Sequence, residues 1–338
     1  MLYPFGWVTS GLYKNILISQ EPYKKGKNMK YLLHDNVGLS IIDENLFISV
    51  DKKVVKFGLN KSEIQFFCSH RPPFAVEDFN GNKRLFNILK KYMVKIDNNS
   101  WVWNYIGTRF EKSAFYFLMH GIKIDPIQTI KSKKIMIVGA GGIGAILLEH
   151  LSAAGANNIV VIDFDKVSVT NLNRQYTFSE KDIGKSKLKI LAQKFKNIKT
   201  IRQKISSEAD FEIIYDKYKP DIVINCADTP PLWIELFLLS PMIRTNTAYI
   251  ACGVGLDSGT IGPFLKTKKE KQAELKSLKS VADRLFYTST CFSSFGPTNS
   301  IIADILAQDV CNYLVGLPTI ASKKRTEFDF TKMRIVNG

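Results

Sequence analysis

Paired cysteines are missing from this chain. Cys68, Cys226, Cys252, Cys291 and Cys311 are odd in number and widely spaced, and no two make a C-x-x-C. That argues against a disulfide framework and against a tetrathiolate zinc site, so no zinc is expected. Histidine is scarce as well. His34, His70, His120 and His150 are all there are, and none falls in 151–338. A Ser-His-Asp or Cys-His centre built from the C-terminal half is thereby excluded. No apolar run reaches the roughly 18 residues of a spanning helix, and the first residues lack the basic-then-apolar layout of a signal peptide. The expectation is a cytoplasmic protein without a membrane partner.

The 338 residues, 45% of them hydrophobic, are enough for two units with real cores. The net charge of +16 comes from lysines spread along the chain. They match no nucleic-acid module, so solvated faces are expected rather than a nucleic-acid surface. One local cluster, Lys266, Lys268, Lys269 and Lys271 continuing through Lys276 and Lys279, is expected to be a mobile surface segment over the active site.

Residues 1–98 carry short alternating stretches at Gly38–Ile42, Leu46–Val50 and Val54–Gly58, with amphipathic patterns at Ser62–Ser69 and Lys83–Met93. These predict a small α+β domain of three strands and helices. A polar linker at 94–101 follows, then an aromatic-rich helix over 104–122. From Lys133 onward the pattern alternates. Strands are expected at 134–138, 159–163, 200–204, 221–226 and 248–252. Helices are expected at 143–154, 185–196, 208–218, 231–240 and 298–314, and a strand beyond Lys323. Such alternation predicts an α/β domain with a mostly parallel sheet covered on both faces, spanning 104–338.

Within it, the run Ile135–Val138 enters Gly139-Ala140-Gly141-Gly142-Ile143-Gly144, a helix pattern follows, and a second run ends at Asp163, nineteen residues past Gly144. A strand, a glycine turn, a helix and a strand ending in an acid make a nucleotide-binding unit. Its glycines admit a phosphate to a helix N-terminus, and its acid can hold a ribose hydroxyl. Asn171, Arg174 and Gln175 come next, a basic and amide cluster for which a dehydrogenase has no need. Lys187 opens the following helix, and phosphates require such cations. Asp228 lies just past the strand Ile222–Cys226, where a carboxylate can hold Mg²⁺ or cap a helix. Cys226 and Cys252 read as buried packing residues and Cys311 as the apolar face of a helix. Cys291 is the one plausible reactive thiol. His150 reads as helix surface.

Taken in order, GAGGIG, IDFD, NLNRQ, the GKSKL that contains Lys187, and the CAD ending at Asp228 resemble the ThiF/MoeB family of ubiquitin-activating-type adenylating enzymes. Within that family the closest look is to members that modify ribosomally made peptides, those of the microcin C and pantocin A pathways. The resemblance implies a Rossmann-like, mostly parallel adenylation domain. It also implies a small winged-helix-like peptide-recognition domain in residues 1–98. It implies ATP and Mg²⁺ as cofactors, a ribosomal precursor peptide as partner, and a homodimer. Gly139, Gly141, Gly142 and Gly144 would cradle phosphates. Asp163 and Asp165 would serve the ribose side. Asn171, Arg174, Gln175 and Lys187 would hold the triphosphate, and Asp228 the Mg²⁺. The family's R-[YF]-x-R finger, supplied across a dimer, reads here Arg109-Phe110-Glu111-Lys112, with Lys112 at the second Arg. Lysine lacks the bidentate fork of arginine. The implied activity is adenylation of a peptide carboxylate in peptide antibiotic maturation. The rivals are activation of a ubiquitin-like sulfur carrier and an NAD-dependent oxidoreductase.

Overall fold

The computed structural model describes residues 30–70, 73–282, 284, 293–321 and 324–337. Cys291 lies outside the described residues. The chain divides into two compact units, Met1–Met119 and His120–Gly338, so the aromatic helix before His120 groups with the first.

Among its described residues the first unit holds six strands, against the three expected from the sequence pattern. They are β1 (Lys30–Leu33), β2 (Val37–Ile42), β3 (Asn45–Val50), β4 (Lys53–Gly58), β5 (Phe74–Ala75) and β6 (Met93–Ile96). They form two three-stranded sheets, β2-β3-β4 and β5-β1-β6. The first is a meander that turns tightly through Asp43 and Glu44, both with positive φ, in the left-handed region that short polar side chains tolerate best. Helices α1 (Lys61–Ser69), α2 (Lys83–Leu89) and α3 (Glu111–Met119) complete it. The core gathers Leu46, Ile48, Phe66, Phe74, Phe79, Leu85 and Leu89, with Phe66 stacked on Phe79 at 4.8 Å.

Residues 104–122 are not one helix. A 3-10 turn covers Trp101–Tyr105, Gly107 takes φ +72°, and α3 begins only at Glu111, whose Oε2 accepts the Gly107 N–H at 2.6 Å. The glycine breaks the pattern that the aromatics continue. Arg109 therefore precedes the helix, its guanidinium over the Phe110 ring at 4.9 Å, while Lys112 is exposed on the first turn.

One acid in this unit sets a pH dependence. Glu63 closes a capping box with Asn60 at the start of α1 and receives Arg84 Nη1 at 2.6 Å. Burial raises its pKa, but the Asn60 N–H and the Arg84 guanidinium outweigh that and hold it below the usual carboxylate range. A depressed acid contributes stability above its unfolded pKa, about 4.3, and that contribution is lost as pH falls through the folded value. Stability should therefore fall in acid below about pH 4, and Glu63→Gln should flatten that part of the profile in denaturant titrations. An unchanged slope in the mutant would rule out this source.

The second unit comprises α4 (Pro126–Ser132), β7 (Lys134–Val138), α5 (Gly144–Ala153), β8 (Asn158–Asp163), α6 (Lys187–Lys194) and β9 (Ile198–Arg202). It continues with α7 (Glu208–Tyr218), β10 (Ile222–Asn225), α8 (Trp233–Met242), β11 (Ala248–Val254), β12 (Ser258–Ile261) and α9 (Lys268–Ala282). It ends with α10 (Gly296–Val315), β13 (Thr326–Asp329) and β14 (Arg334–Asn337). One eight-stranded sheet runs β14-β13-β12-β11-β10-β7-β8-β9. Pairing is parallel from β11 to β9 and antiparallel beyond β11. The central strands are buried on both faces. Met136, Val138, Val160, Ile162 and Val223 pack with Phe211, Leu238 and Leu239 of α7 and α8. The alternate residues Ile135, Ile137, Ile159, Val161 and Ile224 are equally buried, which requires cover on the other face. There α10 packs against α5. Among the described residues no helix is long and apolar enough to cross a membrane.

The lysine-rich stretch corrects an expectation. Lys268–Ala282 is a helix rather than a loose segment. Lys271, fully buried, donates its Nζ to the carbonyls of Met242 at 3.2 Å and Thr245 at 2.8 Å. It thus satisfies carbonyls at the end of α8, where a cation is favoured. Burial lowers its pKa.

Candidate functional site

β7 passes its chain through α5 to β8 on one side, while β10 returns on the other, so the strand order reverses beside β7. Open α/β sheets bind ligands at such a point, past the carboxyl ends of the strands. A cleft lies there, lined among others by Gly139, Gly141, Gly142, Asp163, Asp165, Asn171, Arg174, Gln175, Lys187 and Asp228. Every expected residue of the glycine turn, acid and loop except Gly144 faces this one cleft. Gly144 sits beneath, at the first position of α5.

The glycines are forced by contact. Gly139 has φ +92°, and a Cβ on it would stand 2.8 Å from the Ala227 N and 2.9 Å from the Cys226 carbonyl. A Cβ on Gly144 would run into the Gly139 carbonyl oxygen, and one on Gly142 into the Asn299 side-chain amide. Helix α5 starts at Gly144 with no side chain capping it; the Ala145 N–H is taken by the Gly141 carbonyl at 3.1 Å, and an uncapped helix N-terminus next to a cleft suits an anion.

Asp163, 8% exposed, braces this turn. Its Oδ2 accepts the Ala140 N–H and its Oδ1 the Asp165 N–H, each at 2.7 Å. A carboxylate has further lone pairs, so it can still accept a hydroxyl. Asp165 reaches Lys187, whose Nζ is 2.9 Å from Oδ2. Lys187 is buried at 3% exposure, and its ammonium keeps protons for a second anion.

The stretch between Asp165 and Lys187 is tied at its neck. Lys187 N–H donates to the Asp165 carbonyl at 3.1 Å, Val167 N–H to Lys185 at 2.8 Å, and Gly184 N–H to Val167 at 2.8 Å. Inside it, Asn171 accepts the Ser168 N–H at 3.0 Å. Arg174 Nη1 is held by the Thr170 carbonyl at 2.8 Å and Asn173 Oδ1 at 2.9 Å. Gln175 is 3% exposed, and its Oε1 has no hydrogen-bond partner among the described residues. An orphaned buried acceptor in a cleft wall is a place for a ligand donor.

Asp228 is exposed beyond β10, accepting the Thr229 hydroxyl at 3.0 Å. It is not the cap of the next helix, because α8 begins at Trp233 behind Leu232. Cys226 and Cys252 also differ from expectation: both are only partly buried and line the cleft wall. Cys311, on α10, is likewise partly buried, and burial pushes its thiol up to about 12. His150 lies on the α5 surface, 2.8 Å from Asp304. Arg109 and Lys112 belong to the other unit.

Asn299 was missed by the sequence reading. It is 4% exposed, donates to Ser294 Oγ at 3.1 Å and the Phe295 carbonyl at 2.8 Å, and touches Gly142. The signal was an amide on the buried stripe of α10, in line with Ile302, Ala303 and Leu306. Gly142→Ala should cost about 1–3 kcal/mol by overpacking against this amide, and Asn299→Ala should relieve it. Urea titration of the four proteins of the cycle should give a coupling of about 0.5 kcal/mol or more. Additive effects would show that the two side chains do not meet.

A comparison with protein families matches residues 117–337 to the ThiF family. The chain belongs to the ThiF family. Its homologous stretches are shared with the NEDD8-activating enzyme E1 catalytic subunit of Caenorhabditis elegans, 46% identical over 68 residues. That match covers 20% of this chain and 16% of the relative. The molybdopterin-synthase adenylyltransferase of Haemophilus influenzae is 34% identical over 117 residues, 33% of this chain and 47% of that one. The chain thus spans less than half the length of these curated relatives. Among solved structures, Escherichia coli MccB with AMPCPP and MccA superposes with a TM-score of 0.67 at 21% identity, covering 91% of this chain and 96% of that one. PaaA superposes at 0.64 and 16% identity, covering 90% and 98%. These likenesses establish that this ThiF-family chain shares the fold of both over nearly its full length.

Proposed function

We propose that this chain is an ATP- and Mg²⁺-dependent adenylyltransferase acting on a carboxylate of a ribosomally made peptide. The observation that carries the reading is the convergence at one cleft of the glycine turn, Asp163, the Asn171–Gln175 loop, Lys187 and Asp228. The α5 N–H groups, Arg174 and Lys187 would take the phosphates, and Asp163 a ribose hydroxyl. A carboxylate oxygen of the peptide attacks the α-phosphorus, a phosphorus–oxygen bond forms, and pyrophosphate departs.

Asp228 fits Mg²⁺. Among the described residues no group of three or more His, Cys, Asp or Glu side chains gathers, and Mg²⁺ is habitually held by one or two carboxylates with phosphate oxygens and water. When bound, the ion would neutralise charge on the phosphates.

The peptide half of the reading is supported by the fold shared with the microcin C7 biosynthetic enzyme MccB, solved in complex with N-formylated MccA. Residues 1–98 would be the recognition domain, and the active form a homodimer. ATP–pyrophosphate exchange tests the whole. Exchange should require Mg²⁺ and a cognate peptide. Exchange driven only by the C-terminus of a ubiquitin-like carrier would instead place the chain with the sulfur-carrier activators. Binding of NAD with no exchange would refute the adenylation reading.

A further inference from the structure

Adenylation uses no thiol, yet two sulfur atoms face each other in the cleft wall. Cys226 is the first residue past β10, and Cys252 stands on β11. The strands pair in parallel up to Asn225 and Ala251, which brings the two cysteines side by side. Their Sγ atoms are 3.7 Å apart, and the Cys252 thiol also points at the Asn225 carbonyl, 3.4 Å away. Both residues line the cleft, so a small solute that enters the empty site can reach them.

We propose that Cys226 and Cys252 form an oxidisable dithiol in the wall of the nucleotide cleft, which a hydroperoxide converts to a disulfide that excludes ATP. The inference rests on the cleft being the ATP site and not on the identity of the peptide.

The chemistry needs both sulfurs. Cys226 and Cys252 line the cleft with their sulfurs 3.7 Å apart, so whichever is oxidised first has the other beside it. Taking Cys226 first, its sulfur attacks a peroxide oxygen and displaces hydroxide. A sulfur–oxygen bond forms, the oxygen–oxygen bond breaks, and the proton lost from the thiol leaves with the hydroxide as water. The Cys252 sulfur then attacks the sulfenic acid. The sulfur–sulfur bond forms, the sulfur–oxygen bond breaks, and the Cys252 proton departs with that hydroxyl as a second water. Two thiols lose two electrons, and one hydrogen peroxide becomes two waters.

Closure follows from packing. A disulfide needs its sulfurs at about 2.05 Å, against 3.7 Å in the dithiol. Cys226 has little room to give. Its N–H is bonded to the Val138 carbonyl at 2.8 Å. Its carbonyl lies 2.9 Å from where a Cβ of Gly139 would stand, and its own Cβ lies 3.3 Å from where one of Gly144 would stand. Drawing its sulfur toward β11 therefore pulls on a residue that is bonded to Val138 at the entrance of the glycine turn, and so on the turn where phosphates would rest. Linkage makes the effect mutual: if the disulfide weakens ATP, bound ATP must oppose the disulfide by the same factor.

The test treats the full chain with hydrogen peroxide, with and without ATP and Mg²⁺, then alkylates free thiols and maps cysteines by mass spectrometry. ATP affinity is measured by calorimetry before oxidation, after it, and after dithiothreitol. The expected result is a Cys226–Cys252 cross-link that forms more slowly under ATP, weakens ATP binding at least about tenfold, and is undone by dithiothreitol. Cys226→Ser, compared only with itself, should hold its affinity through the treatment. Cys252→Ala is a second variant in which no cross-link should form. A cross-link to Cys68, Cys291 or Cys311 instead, oxidation without cross-linking, or unchanged affinity in the cross-linked protein would overturn the proposal. Reduced protein that binds no ATP would instead defeat the nucleotide reading.

Discussion

Asp228→Ala should reduce ATP–pyrophosphate exchange at least a hundredfold while the protein keeps its fold. The carboxylate is exposed, lies past the end of β10, and caps no helix. No packing or capping is lost with it. What is lost is the carboxylate proposed to hold the phosphates' metal. Removing such a ligand costs several kcal/mol in the transition state, and each 1.36 kcal/mol is about tenfold in rate. Steady-state exchange with saturating Mg²⁺, alongside a thermal melt, checks both halves. A folded mutant with near-normal exchange would exclude the metal role.

An effect larger still is expected from the basic pair before and on α3. Lys112→Ala should lower the rate by about a thousandfold, the scale of a cation that meets transferring phosphates. Lys112 is exposed on the first turn of α3, whereas Arg109 precedes the helix with its guanidinium against Phe110. That favours Lys112 as the finger and leaves Arg109 as the alternative. If the finger is given across a homodimer, an Asp228→Ala chain mixed with a Lys112→Ala chain regains activity. Random exchange makes about half the dimers mixed, each with one whole site, so about a quarter of wild-type activity returns. No recovery in a mixture shown to exchange subunits would place finger and cleft in one chain.

The nucleotide unit was legible because its signals are local. Strand, glycine turn, helix and acid follow one another within Lys134–Asp163, and the contact that forces Gly144 is with Gly139 inside the same turn. The helix α9 was hidden by chemistry. Its inward positions Lys271, Leu275, Leu278 and Ala282 keep helical spacing, but the first is a lysine, and a pattern of apolar residues cannot anticipate an amine that caps another helix. β1, β5 and β6 were hidden by their brevity and by pairing at long range, Lys30 with both Ala75 and Ile96. Asn299 was hidden for the same reason. Its partner Gly142 is remote in sequence, so nothing nearby explains a buried amide.

The tied neck between Asp165 and Lys187 separates two demands on the chain. The residues that would grip phosphates, Asn171, Arg174 and Gln175, sit on an excursion whose ends are already joined by backbone bonds and by the ion pair at its base. Beyond the neck the excursion is pinned twice more, by Thr177 Oγ1 donating to Glu149 of α5 at 2.9 Å and by Asn173 Nδ2 donating to the Ser294 carbonyl at 2.8 Å. Doubling a flexible loop costs only about 0.6 kcal/mol, so a change of length is tolerated best between these pins, where it leaves β8, α6 and the anchored residues in place.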